Sequence, residues 1–96
     1  MLQEISTTTT NTDLVLQANG SGNIVFEGFE VSDNVIQSTA LNSNITLTPQ
    51  GTGSVVINST QSIIIPVGDT SERPASATVG MIRYNTDLGR YEGWNG

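Results

Sequence analysis

The chain has no cysteine, no histidine and no lysine. Without cysteine there is no disulfide framework. Without cysteine or histidine, neither a Ser-His-Asp nor a Cys-His arrangement can be assembled within the chain. Charge is scarce at 12% of residues, so most of the exposed surface must be hydroxyl and amide. The basic groups are Arg73, Arg83 and Arg90, while residues 1–72 carry acidic groups alone: Glu4, Asp13, Glu27, Glu30, Asp33, Asp69 and Glu72. A net charge of −6 with this distribution would repel phosphates, which argues against a nucleic-acid partner. No apolar run approaches the length of a membrane span, so no membrane insertion is expected. Met1-Leu2-Gln3-Glu4 has neither a basic n-region nor an apolar h-region, so no signal peptide is read there. Aromatics are few, and good helix formers such as Ala, Glu and Met are sparse. No stretch holds helical periodicity over three turns.

What remains is rich in Ser, Thr, Asn and Gly, punctuated by short bursts of Val, Ile and Leu. The bursts argue against disorder. They also repeat. NTDLVLQANGSGNIVF at 11–26 and NSNITLTPQGTGSVVI at 42–57 align at a shift of 31 residues. The shift superposes Ile5 on Ile36, Thr8 on Thr39 and Asn11 on Asn42. It also superposes Leu14 on Ile45, Leu16 on Leu47, Gly20 on Gly51, Gly22 on Gly53, Ile24 on Val55 and Phe26 on Ile57. Self-similarity at a fixed period of this size marks a repeat architecture. Each unit reads as β, since Ile45 and Leu47 alternate with Thr46 and Thr48, and Val55-Val56-Ile57 resumes after a Gly-Thr-Gly turn. Gly20, Gly22, Gly51 and Gly53 are the expected turn positions, supplying positive φ or close backbone approach. The Thr run at 7–10 belongs to the repeat, because it precedes the first unit as Ser38-Thr39-Ala40-Leu41 precedes the second. A repeat unit cannot bury its apolar face alone, and about three are usually needed. Two are present here, so partner chains are the expected source of the rest. Three chains about a threefold axis would share one interior; a dimer or a longer solenoid also satisfies the count. The positions expected to face that interior are Leu14, Leu16, Ile24, Phe26, Ile45, Leu47, Val55 and Ile57.

Between the units, Phe29–Ile36 reads as two short strands with a turn at Ser32-Asp33-Asn34. Ser62-Ile63-Ile64-Ile65-Pro66 is apolar on both faces, as suits a strand covered on both sides, and Pro66 ends it. Residues 67–79 read as a linker. Gly80–Trp94 has the pattern of a β-hairpin, with Gly89 in the left-handed position of its loop. The expected organisation is therefore a β-repeat shaft over 1–66, a linker over 67–79 and a C-terminal hairpin over 80–96.

Candidate sites are few. Glu27 with Glu30, and Asp69 with Glu72, are the carboxylate pairs nearest in sequence, the residue type that glycoside hydrolysis needs. Solvated surface is the better reading of both, and no catalytic residue, cofactor or metal is assigned. Asn19-Gly20-Ser21-Gly22-Asn23 faintly matches calcium-binding turns, but the spacing is 31 and neither turn has Asp. Asn19, Asn44 and Asn58 sit in glycosylation sequons, expected by chance in so Asn- and Thr-rich a chain. The cluster with the composition of an interface is Arg83, Tyr84, Arg90, Tyr91 and Trp94. Its simplest role is packing the hairpin against copies of itself, with Arg83 pairing Glu92 across the strands.

The segment GMIRYNTDLGRYEGWNG at 80–96 resembles the G-x-[IL]-R-Y-N-[ST]-[DT]…[FY]-E-G-[YW]-x-G element of bacteriophage tail-fibre and related virion fibre proteins. The repeats, as N-x-[DN]-[LI]-x-[LI]…G-[ST]-G, look like shaft repeats of such fibres. In that family the hairpin continues into an apolar segment after the Trp; here the sequence ends at Gly96. The resemblance implies an all-β fold: an intertwined homotrimeric β-helix or β-prism shaft with a C-terminal hairpin. It implies a non-enzymatic virion protein on the exterior of a phage particle, in its tail. Expected partners are two further copies of the chain and other tail or capsid proteins. A receptor-binding tip that recognises host surface glycans, or a capsid or tail adaptor, is the alternative.

Overall fold

The computed structural model describes residues 3–96, so the first two residues of the expected shaft lie outside the described residues. Regular structure is β-strand, in two small open sheets with one short 3-10 turn. The chain divides into two units, Met1–Gly53 and Ser54–Gly96.

The repeat is written into the backbone. Asn11 and Asn42, 31 residues apart, have φ of 62° and 61°. Gly20 and Gly51 have φ of 60° and 62°. Asn and Gly tolerate this left-handed region better than other residues, so the sequence match at these positions carries a conformational reason. Each Gly turn closes with the same hydrogen bond: Gly22 N–H donates to the Asn19 carbonyl at 3.1 Å, and Gly53 N–H to the Gln50 carbonyl at 3.3 Å. Each Asn turn is straddled by a hydroxyl: Thr7 Oγ1 donates to the Thr12 carbonyl at 3.2 Å, and Ser38 Oγ to the Ser43 carbonyl at 3.5 Å. Thr7, in the threonine run, thus does the same work as Ser38.

The units then diverge. In the first, β1 (Ile24–Phe26), β2 (Phe29–Ser32) and β3 (Val35–Ser38) form an antiparallel meander. β2 and β3 are the two strands expected between the repeats. Asp33, at φ 51°, makes their turn. The register places Ile24 opposite Val31 and Val31 opposite Ile36, with Phe26 opposite Phe29. Side chains alternate along a strand, so these five share one face. The Phe26 and Phe29 rings stack with centroids 4.9 Å apart. On the opposite face Gln37 donates to the Glu30 carboxylate across the strands. Val55–Ile57, the counterpart of β1 in the second repeat, forms no ladder; neither do Asp13–Gln17 and Asn44–Thr48, which match each other in the two repeats, nor Ile63–Ile65. These runs were expected as strands from their pattern. Strand pairing requires a hydrogen-bonded neighbour, and among the described residues no ladder joins these runs to another strand.

The C-terminal sheet is built from β4 (Val67–Gly68), β5 (Ile82–Asn85) and β6 (Arg90–Gly93), in the order β4-β5-β6. β5 and β6 form the expected hairpin, with Gly89 at φ 65° and its N–H donating to the Asn85 carbonyl at 2.8 Å. The pairing runs on past both strands, as Gly80 N–H donates to the Trp94 carbonyl and Trp94 N–H to the Met81 carbonyl. β4 was not anticipated. It lies parallel to β5, with Tyr84 N–H donating to the Pro66 carbonyl and Thr86 N–H to the Gly68 carbonyl, both at 2.9 Å. The expected linker therefore contributes a strand and, at Thr70–Glu72, the 3-10 turn that covers the sheet.

Candidate interaction site on the C-terminal sheet

Alternation along β5 sends Arg83 and Asn85 to one face and Ile82 and Tyr84 to the other. The usual arrangement buries the apolar face. Here the polar one is closed: Asn85 is 0% exposed and Arg83 5%, and no apolar side chain is fully buried among the described residues.

The lid over the polar face is Asp69–Arg73. Its turn is held by a capping box in which Asp69 Oδ1 accepts from Glu72 N–H at 3.1 Å, while Asp69 N–H donates to Glu72 Oε1 at 2.9 Å. A capping box satisfies two backbone donors reciprocally. The two carboxylates noted as a catalytic candidate are thus taken up in holding a turn. Ser71 Oγ also donates to Asp69 Oδ1 at 2.6 Å, and this bond foremost lowers the Asp69 pKa below its ordinary value. Thr70 N–H donates to Asp87 Oδ2 at 3.0 Å, which fastens the lid to the hairpin loop.

Beneath the lid, Glu92 is the hub. It accepts from Arg83 Nη1 at 2.8 Å, from Asn85 Nδ2 at 3.1 Å and from Arg73, whose guanidinium also forms an ion pair with it. Charge-assisted bonds of this kind are stronger than neutral ones. The hydrogen bond from Arg73, with those from Asn85 and Arg83, holds the Glu92 carboxyl down at about 2. The same bond pushes the Arg73 pKa up. Arg83 spends its second nitrogen on the Asp69 carbonyl at 2.9 Å. Asn85 satisfies both ends of its amide: Nδ2 donates to Thr70 Oγ1 and Glu92 Oε1, both at 3.1 Å, while Oδ1 accepts from Asp87 N–H at 2.9 Å and Leu88 N–H at 3.1 Å. No buried side-chain nitrogen or oxygen among the described residues lacks a partner. Such fully satisfied networks rigidify what they join. Gly68 is what lets the parts meet: a Cβ there would stand 2.6 Å from Arg83 Nη2 and 2.9 Å from Glu72 Oε1.

The other face is open. Val67 lies opposite Tyr84, and Tyr84 opposite Tyr91, whose rings meet edge to face at 5.1 Å. With Ile82 and the Ile63–Ile65 run these side chains line a groove of about 640 Å³ that bears no charge. Tyr91 is 71% exposed.

The structure thus divides the aromatic–arginine cluster expected from sequence. Tyr84 and Tyr91 share the open face. Arg83 pairs with Glu92 as foreseen, but that pairing seals it beneath the lid, so it is no surface contact. Arg90 is exposed and Trp94 half-buried. Sequence reading missed Gly68, Asp69, Arg73 and Asn85 as members of one network. Their one legible sign was Asp69-Thr70-Ser71-Glu72, the spacing of a capping box.

The residues expected to face a shared interior lie half-buried or exposed in the single chain. In three of their runs the expected residues are the better covered, while Leu47 is 70% exposed. Leu14 and Leu16 are less exposed than Val15, Phe26 less than Val25, and Val55 and Ile57 less than Val56. A comparison with known proteins finds no family model, no curated protein and no solved structure that matches the chain.

Proposed function

We propose that this protein is a structural component of a bacteriophage virion: one chain of a homotrimeric fibre segment, exterior to the particle, serving attachment or tail assembly. Its role is mechanical. Strands pair between chains, and the apolar side of each repeat fills a narrow interior shared by three copies.

The observation that carries this reading is a surface too large and too apolar for a chain alone. The chain exposes 8869 Å². A folded monomer of 10.2 kDa would expose about 5,300 Å², and two separate folded units of half that mass about 6,400 Å². The excess over even the larger figure is about 2,500 Å² per chain, against about 800 Å² per partner in a standard interface. Large exposed apolar patches mark interaction sites. Both sheets offer one, as Ile24, Phe26, Phe29, Val31 and Ile36 in the first and as the tyrosine groove in the second. The unladdered runs at 44–48, 55–57 and 63–65 point the same way, since backbone donors and acceptors in β-branched segments call for strand partners. The resemblance of 80–96 to the phage fibre element supports reading the assembly as part of a virion.

The test is the native mass of the purified chain, by light scattering on a sizing column. Three times the 10.2 kDa chain mass is expected. A folded monomer would refute the shared interior.

A further inference from the structure

We propose that Asn19 is a site of spontaneous covalent modification. The backbone nitrogen of Gly20 closes on the Asn19 side chain, ammonia leaves, and water reopens the resulting succinimide ring to aspartate and isoaspartate. The inference is independent of the self-association proposed above, and it sets one repeat apart from the other.

Three observations converge. The first is the step itself. Asn-Gly stands at 19–20, and again at 95–96. Attack by the next backbone nitrogen is intramolecular, and glycine, having no Cβ, leaves that nitrogen unhindered. The second is its place. Asn19 and Gly20 are exposed, and nothing lies within 4 Å of where a Cβ on Gly20 would stand. The turn is tied by the bond from Gly22 N–H to the Asn19 carbonyl, and the run before it, Asp13–Gln17, sits in no ladder. Exposed backbone so lightly held opens locally at little cost. Asn85 is the opposite case, 0% exposed with its amide bonded at both ends.

The third is an internal control. Gln50-Gly51 occupies the same turn in the second repeat, with the glycine φ at 62° against 60° and the same closing bond. In both, the first central residue has positive φ and the second does not, the pattern of a type II′ turn. The backbone is therefore matched, and the side chain is what differs. The extra methylene of glutamine demands a larger ring, which closes far more slowly. The first repeat carries the reaction and the second resists it.

The step balances without a further reactant but water. A bond forms from Gly20 N to Asn19 Cγ, the Cγ–Nδ2 bond breaks, and ammonia carries away the Gly20 amide proton. Water then adds across one of the two imide C–N bonds. Opening at Cγ gives aspartate on an unchanged main chain. Opening at the Asn19 carbonyl carbon gives isoaspartate, in which the chain runs through Cβ and Cγ. The carbonyl that accepted from Gly22 N–H then becomes a free carboxylate off the main chain. Either product adds a negative charge to a chain already at −6.

The full chain is held in warm, mildly alkaline buffer, sampled over days and digested with chymotrypsin. Cuts after Leu16 and Phe26 release the 17–26 peptide, and Asn95-Gly96 falls in a different one. The expected result is progressive loss of the parent 17–26 peptide. Two products of equal mass replace it, each heavier by the exchange of an amide for an acid. The more abundant one is labelled by an isoaspartyl methyltransferase. Gln50 stays unchanged in the same samples. Asn19→Gln should abolish both products while leaving the native mass of the chain as it was. An Asn19 that stays intact in the full chain overturns the proposal; conversion of a synthetic 17–26 peptide in the same buffer would then place the protection in the fold. Aspartate without isoaspartate also overturns it, because direct hydrolysis needs no ring. Native mass does not enter these readouts, so this inference and the fibre reading fail separately.

Discussion

Replacing Asn85 by alanine removes the centre of the polar network while leaving every apolar contact of the groove in place. The side-chain hydrogen bonds with Thr70 and Glu92, and those from the amides of Asp87 and Leu88, go with it, besides a long one of 3.5 Å from the Thr70 hydroxyl. A hydrogen bond contributes about 0.5–1.5 kcal/mol net, and the two loop amides, being on exposed residues, can take water and fall at the low end. Two bonds near 0.5 and two near 1 kcal/mol give a loss of about 3 kcal/mol, a large share of the stability of so small a unit. Trp94, the sole tryptophan, reports on this sheet directly, since its backbone pairs with Met81. The assay is urea unfolding followed by Trp94 fluorescence, at one protein concentration so that assembly does not shift the midpoint. Asn85→Asp sharpens the test. It preserves the acceptor for the loop amides but sets a second carboxylate against Glu92 in place of a donor. Near neutral pH it should therefore be at least as damaging as alanine, and acidification that protonates the new carboxyl should restore part of the loss. If Asn85→Ala unfolds within about 0.5 kcal/mol of the parent, the network is not what holds the sheet.

Further outcomes follow from the same geometry. Gly68→Ala should destabilise the sheet by about 2 kcal/mol, because the added methyl drives Arg83 from the Asp69 carbonyl and Glu72 from its cap; the same fluorescence titration reads it. The Glu92 carboxyl is lowered from 4.5 to about 2 on folding, so its contribution is present above the higher value and is lost as pH falls toward the lower. Unfolding midpoints at about pH 6 and about pH 3 should therefore diverge in the parent, and Glu92→Gln should narrow the gap. Asp69, lowered in the same direction, leaves a remainder. Replacing Ile45 and Leu47 together by Asp should abolish assembly, because buried charges without partners are heavily penalised; an unchanged native mass and melting curve would show that these residues do not face the interior.

What was legible in the sequence was whatever a local pattern can encode. The period of 31 could be read because a left-handed backbone angle recurs at Asn11 and Asn42, and again at Gly20 and Gly51, and few residue types serve there. The hairpin at 82–93 was readable for the same reason, with Gly89 marking its loop. Alternation told β from helix, and at the runs around Val15, Val25 and Val56 it told the better-covered side. Alternation could not say whether a run finds a strand to pair with. That depends on neighbours, and in this chain Asn44–Thr48 and Ile63–Ile65 have none in a ladder.

The tertiary structure alone decided which face of the C-terminal sheet is closed. Arg73 reaches Glu92 across 19 residues, and Arg83 reaches the Asp69 carbonyl across 14. Pairs so separated leave no periodic trace. Sequence therefore named Arg83, Tyr84 and Tyr91 as one cluster. Folding turned the arginine inward to a carboxylate, because a charge leaves water only for a partner, and left the tyrosines facing out.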